Sequence, residues 1–246
     1  IVTGGYGHLG TAISEVLADY GAKVYIAGRN KNSAEALITS QPKKNKIKFI
    51  NCDVSDEKSI KVCFENVCKK EGRIDILVNN ANYGRAGKLD TISENDWCAG
   101  IDGTINNYFR CIQAALLYMK KNGGTIINIA SMYGVVSPNP EVYGNSGFDN
   151  PPNYGAGKAA IIQLTKYAAV HFAKHNIRVN SISPGPFPSP AVQKNTAFIK
   201  NLSKKTPIGR IGKPDELKGV IILLASNASS YITGQNFCVD GGWTIW

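Results

Sequence analysis

The sequence lacks the features of several protein classes. No apolar run approaches the roughly 20 residues that span a bilayer, so we predict no membrane segment. The six cysteines form no CxxC pair and show no metal-ligand spacing, which indicates free thiols in a reducing compartment. His171 and His175 are four apart but have no evident third ligand. We therefore expect a cytoplasmic protein without a metal site.

Negative charge is also scarce relative to positive charge. Lys and Arg number 28 against 18 Asp and Glu, which gives a formal net charge of +10. A nucleic-acid-binding protein clusters such charge on one element, whereas these lysines are scattered along the chain. We predict a solvated surface that attracts anionic small molecules, and no nucleic-acid partner.

Length and periodicity predict the fold class. The 246 residues, of which 43% are hydrophobic, suit one α/β domain over residues 1–246. Short apolar segments alternate with amphipathic ones and no repeat interrupts them. This alternation predicts a doubly wound parallel sheet (a Rossmann fold) in a three-layer α/β/α arrangement. Because a strand rarely begins at the first residue, we expect the natural chain to extend before Ile1.

A glycine-rich turn follows the first predicted strand. It precedes a helix predicted over residues 11–20 and a second strand over residues 23–27. Glycines permit close approach of the backbone to a pyrophosphate, and a helix N-terminus attracts its charge. The turn therefore predicts a dinucleotide site, with contacts from Gly4, Tyr6, Gly7, His8, Leu9 and Gly10.

The end of the second strand bears on the choice of cofactor. NAD sites usually have an acid there, whereas NADP sites have an arginine that meets the 2′-phosphate. This chain has Gly28-Arg29-Asn30, and Arg29 can form two hydrogen bonds to a phosphate. We predict NADP, with NAD as the alternative. The competing interpretation of Arg29 is a solvent-exposed turn residue.

Later segments place polar residues at the same edge of the sheet. Asp53 ends the third predicted strand, where it can accept a hydrogen bond from adenine, and Asn79-Asn80-Ala81-Asn82 ends the fourth. One long helix is predicted over residues 94–121. The polar, lysine-rich segment at about 186–205 has the composition of a mobile lid over a substrate.

Tyr154 and Lys158 begin a predicted helix over residues 154–174. Their spacing of four places both side chains on one helix face. A neighbouring cation favours a phenolate and lowers the pKa of a phenol from its usual value of about 10. A lone YxxxK also occurs by chance in helices, so its meaning depends on the other motifs.

Together these motifs resemble the compact branch of the short-chain dehydrogenase/reductase family over essentially the whole chain. The matching segments are Asn79-Asn80-Ala81, Ser131, Tyr154-x-x-x-Lys158, Ile177-Arg178-Val179-Asn180, Pro184-Gly185, Ile232-Thr233-Gly234-Gln235 and Asp240-Gly241-Gly242. The resemblance implies an NAD(P)-dependent oxidoreductase that interconverts a secondary alcohol and a ketone, and a homotetramer.

The resemblance also implies residue roles. Tyr154 is the general acid or base, Lys158 lowers its pKa and holds the nicotinamide ribose, and Ser131 donates a hydrogen bond to the substrate oxygen. Further cofactor contacts are implied at Asp53, Val54, Asn80, Ala81, Pro184, Gly185, Phe187 and Ser189.

Two departures from the family pattern bear on these roles. His8 stands where the turn of the compact branch has glycine, and the turn instead matches the TGxxGxxG spacing of longer members. Thr104 stands where the family has an asparagine that completes a proton relay, with Asn106 and Asn107 nearby. We expect Thr104 to take part by holding a water. A non-catalytic nucleotide-binding scaffold is the remote alternative.

An insertion at about residues 135–153 separates Ser131 from Tyr154 and is rich in hydroxyl and amide groups. Buried sugar hydroxyls need hydrogen-bond partners, so the insertion predicts a sugar, sugar acid or polyol as substrate. Such an insertion resembles gluconate 5-dehydrogenase-like members. The alternatives are a 3-oxoacyl carrier-protein reductase, or an insertion that only forms surface or subunit contacts.

Overall fold

A parallel sheet forms the centre of the protein. The computed structural model describes residues 1–40, 46–85 and 87–246, and within these residues seven strands pair in the order β3-β2-β1-β4-β5-β6-β7. The predicted doubly wound parallel sheet is confirmed. The strands are β1 (Val2–Thr3), β2 (Val24–Gly28), β3 (Ile47–Asn51), β4 (Ile76–Asn79), β5 (Gly124–Ile129), β6 (Ile177–Pro184) and β7 (Asn236–Val239).

Helices cover both faces of this sheet. In the described residues they are α1 (His8–Asp19), α2 (Lys31–Ser40), α3 (Glu57–Glu71), α4 (Glu94–Ile101), α5 (Asn107–Met119), α6 (Pro140–Tyr143), α7 (Pro152–Phe172), α8 (Pro190–Gln193), α9 (Thr196–Lys205) and α10 (Lys218–Ala225). None of these helices is both long enough and apolar enough to cross a membrane.

The core is divided by the sheet into two apolar layers. Successive strand residues point to opposite faces. Leu77 therefore packs with Phe64 and Met119 on one side, whereas Val78 packs with Ile13 and other side chains on the opposite side. Burial on both faces explains why the strands appear in the sequence as continuous apolar runs.

The predicted helix over residues 94–121 is interrupted at its centre by a π-turn over residues Asp102–Asn106. The Asn107 amide N–H donates to Asp102, five residues earlier. The Gly103 carbonyl instead accepts from the backbone N–H of Tyr83 at 3.1 Å and from the Asn107 side chain at 3.1 Å. The Gly103 carbonyl, which a regular α-helix would use within its own backbone, thus bonds the loop after β4, and the helix turn is wider at this point.

A buried chain of side-chain hydrogen bonds fixes α7 against the sheet. Asn79 on β4 donates to Asn128 on β5 at 2.9 Å, and Asn128 donates to the Thr165 hydroxyl on α7 at 2.9 Å. Thr165 in turn donates to the Ile161 carbonyl at 2.8 Å. A shift of α7 along the sheet would break the Asn128–Thr165 hydrogen bond, so this chain sets the position of the helix that carries Tyr154 and Lys158.

Candidate active site

A cavity of about 390 Å³ lies at the carboxyl ends of β1, β2, β3 and β4. This is the point where strand order reverses, at which doubly wound sheets bind dinucleotides. The residues of the predicted cofactor site that line it are Gly4, Tyr6, Gly7, His8, Leu9, Arg29, Asp53, Val54, Asn80 and Ala81. Asn82 and Tyr83 complete its wall on the β4 side.

The glycine turn is tighter than predicted, because α1 begins at His8 and not near residue 11. Gly4 has φ of +61°, which a glycine adopts without strain. A Cβ on Gly10 would lie 2.2 Å from the Gly4 carbonyl oxygen, so no side chain fits between turn and helix. Gly10 therefore shapes the turn from within the first turn of α1 and is absent from the cavity lining.

His8 contributes a polar atom that the protein leaves unpaired. Its Nε2 is buried and has no hydrogen-bond partner among the described residues. Buried polar atoms nearly always have a partner. This nitrogen belongs to the first residue of α1, where unpaired backbone N–H groups also attract an anion. The residues present therefore fit the pyrophosphate of a dinucleotide.

Tyr6, Arg29 and Asp53 form the rim of the cavity. The Tyr6 hydroxyl accepts hydrogen bonds from the backbone N–H groups of Arg29 at 3.2 Å and Asn30 at 3.0 Å. The Arg29 side chain is 70% exposed, and its Nη1 lies 3.7 Å from a carboxylate oxygen of Asp53. The other Asp53 oxygen accepts from the backbone and hydroxyl of Ser55. These bonds, with a smaller effect of Arg29, hold the pKa of Asp53 below its ordinary value despite partial burial.

Ser131, Tyr154 and Lys158 meet beside this cavity. Ser131 follows β5 and is buried, whereas Tyr154 and Lys158 lie on α7. Burial raises the pKa of Tyr154, and a hydrogen bond with the Ser131 hydroxyl lowers it in part. The Lys158 ammonium lies 5.4 Å from the centre of the Tyr154 ring. The structure thus brings the three predicted catalytic residues together.

Lys158 is the most deeply buried lysine of the site, at 3% exposure. Its Nζ donates to the Ile129 carbonyl at 2.7 Å, and burial lowers its pKa from 10.5 to about 7. Burial keeps the net pKa of Tyr154 above its ordinary value, because desolvation penalises the phenolate more than the Ser131 hydrogen bond favours it. The expected lowering of that pKa by Lys158 stays a prediction.

Thr104 lies at the site beside Tyr154, with its hydroxyl hydrogen used within the helix. It is buried in the π-turn, and its hydroxyl donates to the Gly100 carbonyl at 2.6 Å. A Cβ on Gly157 would lie 2.6 Å from the Cβ of Thr104, so the two residues form a close contact between the π-turn and α7. Because its donor is already used within the helix, only the acceptor side of the Thr104 hydroxyl would be left for a water. Thr104 packs against α7, and its part in a proton relay stays a prediction.

Four predicted cofactor residues lie apart from the cavity at β1–β4. Pro184 ends β6, Gly185 follows it against Asp240, and Ser189 precedes the short helix α8. Phe187 lines a separate cavity of about 240 Å³ and packs against Gly212. The family resemblance predicted these four positions in the chain, but it carried no information on the direction of their side chains.

Sequence reasoning missed two groups at the site. Tyr108 on α5 donates from its hydroxyl to the Ile129 carbonyl at 2.9 Å and lies 3.4 Å from the Lys158 Nζ. Tyr83 donates to Asp102, which also pairs with Arg110, and so ties the loop after β4 to the π-turn. A tyrosine in an amphipathic helix is typical of a core residue, and no local spacing connects Tyr108 with Lys158.

The predicted insertion borders a cavity of about 780 Å³ next to the catalytic residues. Tyr133, Ser137, Tyr143 and Asn150 contribute polar groups to its lining. The Tyr143 hydroxyl donates to the Tyr133 hydroxyl at 2.7 Å. Asn150 also lines a smaller cavity of about 230 Å³ that reaches Tyr154.

The insertion and the predicted lid pack together. Phe198 on α9 lies 5.5 Å from the ring of Tyr143 and 5.0 Å from that of Phe148. Asn201 on α9 donates to the Val142 carbonyl at 3.3 Å. The lid segment is therefore two helices held to the insertion by an aromatic cluster.

Comparison with known proteins identifies the family. A family model described as Enoyl-(Acyl carrier protein) reductase matches residues 7–244. The chain belongs to the short-chain dehydrogenase/reductase family. This confirms the resemblance inferred from the motifs and makes the protein an NAD(P)-dependent oxidoreductase, so the non-catalytic scaffold is set aside.

Three relatives in this family illustrate its range. The 3-oxoacyl-(acyl-carrier-protein) reductase of Thermotoga maritima is 36% identical, over 100% of this chain and 97% of its own. A tropinone reductase homolog of Arabidopsis thaliana is 35% identical, over 100% and 89%. The crystal structure of a gluconate 5-dehydrogenase from Burkholderia cenocepacia, with NADP and tartrate, has a TM-score of 0.86 and 32% identity, over 99% of this chain and 93% of that one.

We predict that Thr104→Val leaves kcat/KM within about threefold of the wild-type value, because the Thr104 hydroxyl is used on the Gly100 carbonyl. Steady-state kinetics measure this. Ser131→Ala is the matched control, since it also removes one buried hydroxyl, and it should lower kcat about 100-fold. Equal losses in the two variants would contradict the packing role of Thr104.

Proposed function

We propose that this oxidoreductase uses NADP to interconvert a secondary alcohol and a ketone on a small polyhydroxylated substrate, such as a sugar, sugar acid or polyol. The observation that carries this proposal is the position of the insertion. Tyr143 and Asn150 of the insertion, with Tyr133 just before it, line two neighbouring cavities, the smaller of which reaches Tyr154. Each sugar hydroxyl that leaves water needs such a partner.

In the proposed mechanism, the protein supplies proton transfer and orientation. Ser131 donates a hydrogen bond to the substrate oxygen, and Tyr154 gives that oxygen a proton in reduction or removes it in oxidation. When bound along the cavity at β1–β4, the nicotinamide cofactor supplies or accepts the hydride. Reduction leaves Tyr154 as a phenolate, and the nearby Lys158 ammonium stabilises that negative charge.

The cover over the site favours a small substrate. The aromatic contacts of Phe198 with Tyr143 and Phe148 hold α9 onto the insertion. The insertion and α9 thus form one packed wall beside the cavity of about 780 Å³. A small substrate is further supported by the similar gluconate 5-dehydrogenase, which was crystallised with NADP and tartrate.

The second candidate is a 3-oxoacyl carrier-protein reductase. It is favoured by 36% identity with the Thermotoga maritima enzyme over the whole chain. The net charge of +10 also suits an acidic carrier protein. In that case the insertion would serve packing rather than substrate recognition.

We further propose a homotetramer in the cytoplasm, with no nucleic-acid partner. Tyr167 and Val170 on α7 are exposed, as is the C-terminal Trp246, and exposed apolar side chains of this kind mark contact surfaces. All six cysteines are free thiols, which supports a reducing compartment.

The proposed function is tested by following formation of NADPH and NADH with D-gluconate, tartrate, sorbitol and a 3-hydroxybutyryl thioester. Turnover with a sugar acid or polyol supports the proposal, whereas turnover with the thioester alone selects the carrier-protein reductase. Tyr154→Phe should lower kcat at least about 1,000-fold and still bind NADPH, because only the proton donor is lost. Retained turnover in Tyr154→Phe would contradict the mechanism for either substrate.

Arg29→Asp should weaken NADPH binding well over tenfold, because the new carboxylate would stand beside Asp53 and repel a 2′-phosphate. Fluorescence titration with NADPH and NADH measures this, and NADH affinity should change by less than about threefold. Lys31→Asp is the matched control, with the same change of charge on the neighbouring helix α2. An unchanged NADPH affinity in Arg29→Asp would rule out its role.

A further inference from the structure

Tyr108 shares its hydrogen-bond acceptor with Lys158. The Tyr108 side chain is 1% exposed, and its hydroxyl donates to the Ile129 carbonyl at 2.9 Å. The Lys158 ammonium donates to the same carbonyl at 2.7 Å and lies 3.4 Å from the Tyr108 hydroxyl oxygen. The three groups form a closed polar cluster at the end of β5.

The ammonium also lies between two aromatic rings. Its Nζ is 5.3 Å from the centre of the Tyr108 ring and 5.4 Å from that of Tyr154. Both distances are within the range of a cation–π interaction. Lys158 forms no ion pair within residues 1–40, 46–85 and 87–246. The two aromatic rings, the Tyr108 phenol and the Ile129 carbonyl therefore offset the cost of burying its charge.

Tyr108 follows the π-turn closely and bonds the end of β5, where the Lys158 ammonium also binds. Asn107 donates to the Ala81 carbonyl at 3.0 Å, which holds the start of α5 against the loop after β4. The next side chain, Tyr108, then points to the end of β5. Thr104, the relay residue expected on this helix, donates to the Gly100 carbonyl. The residue of this helix that meets Lys158 is Tyr108, one turn later.

We propose that Tyr108 is a positioning residue that holds the Lys158 ammonium in place, facing Tyr154. Its phenol oxygen accepts a hydrogen bond from the ammonium while its O–H fixes the carbonyl that the ammonium also uses. The ring restricts the lysine side chain from the α5 side. This inference rests on the proposed roles of Tyr154 and Lys158.

The charge state of Lys158 gives the test a distinctive readout. The titratable groups that face the ammonium are Tyr154 on its own helix and Tyr108 on α5, and Cys111 lies beyond Tyr108. Burial raises the pKa of Tyr108 far above 10, so it stays protonated. Removal of its oxygen destabilises the ammonium, and the pKa of Lys158 falls further below about 7. Since reduction needs the ammonium, activity should then be lost at a lower pH.

The experiment compares Tyr108→Phe with wild-type protein in NADPH-dependent reduction of the ketone formed from the best compound of the panel above. We expect kcat to fall about tenfold, as for loss of one hydrogen bond to a charged group, with KM within about twofold. The alkaline limb of kcat/KM should move to lower pH by about half a unit or more. NADPH affinity at pH values below and above this limb provides a readout independent of turnover.

Tyr25→Phe is the matched control, because its hydroxyl bonds Glu71 at the opposite edge of the sheet. Tyr25→Phe should leave the alkaline limb of kcat/KM unchanged. If Tyr108→Phe does not fold, Tyr108→Met lacks the same hydroxyl and serves instead. The inference would be overturned if the folded Tyr108 variant kept both the alkaline limb of kcat/KM and the pH dependence of NADPH affinity of the wild-type protein. An active Tyr154→Phe would instead overturn the proposed mechanism itself.

Discussion

The buried ammonium of Lys158 is the interaction on which the rest of the site depends. Removing a charged lysine from water is costly, and burial lowers its pKa from 10.5 to about 7. Each pKa unit corresponds to about 1.4 kcal/mol, so several kcal/mol oppose the charged form. The Ile129 carbonyl and the rings of Tyr108 and Tyr154 offset part of that cost. The arrangement keeps a cation where a phenolate forms.

The fold supplies the rigid support that such a cluster needs. Ile129 ends β5 and anchors the ammonium, whereas Ser131, two residues later, is near enough to the Tyr154 phenol to lower its pKa in part. The reacting helix α7 is aligned to that strand by the Asn128–Thr165 hydrogen bond. A shift of α7 along the sheet would break this bond and separate Tyr154 from Ser131. The relative position of the catalytic side chains is therefore set by the packing of α7 on β5.

Patterns within short stretches of the sequence predicted the sheet and the main residues of the site. Alternating apolar segments predicted the sheet, and the glycine turn together with the Tyr154–Lys158 spacing predicted both halves of the site. Features that arise from contacts between distant segments were missed. The π-turn includes a carbonyl taken by Tyr83, and the contact of Tyr108 with Lys158 joins positions 50 residues apart in the chain. No spacing within one helix carries that information.

The most direct test of this account is the pKa of Lys158 measured in the folded protein. Isotope-labelled lysine side chains can be titrated by NMR, and the signal of Lys158 is the one absent from Lys158→Met. Burial between Tyr108 and Tyr154 predicts a midpoint near the value of about 7. A midpoint near 10.4, as for a lysine in water, would contradict it. That result would mean the ammonium is hydrated and the cluster around it does not control its charge.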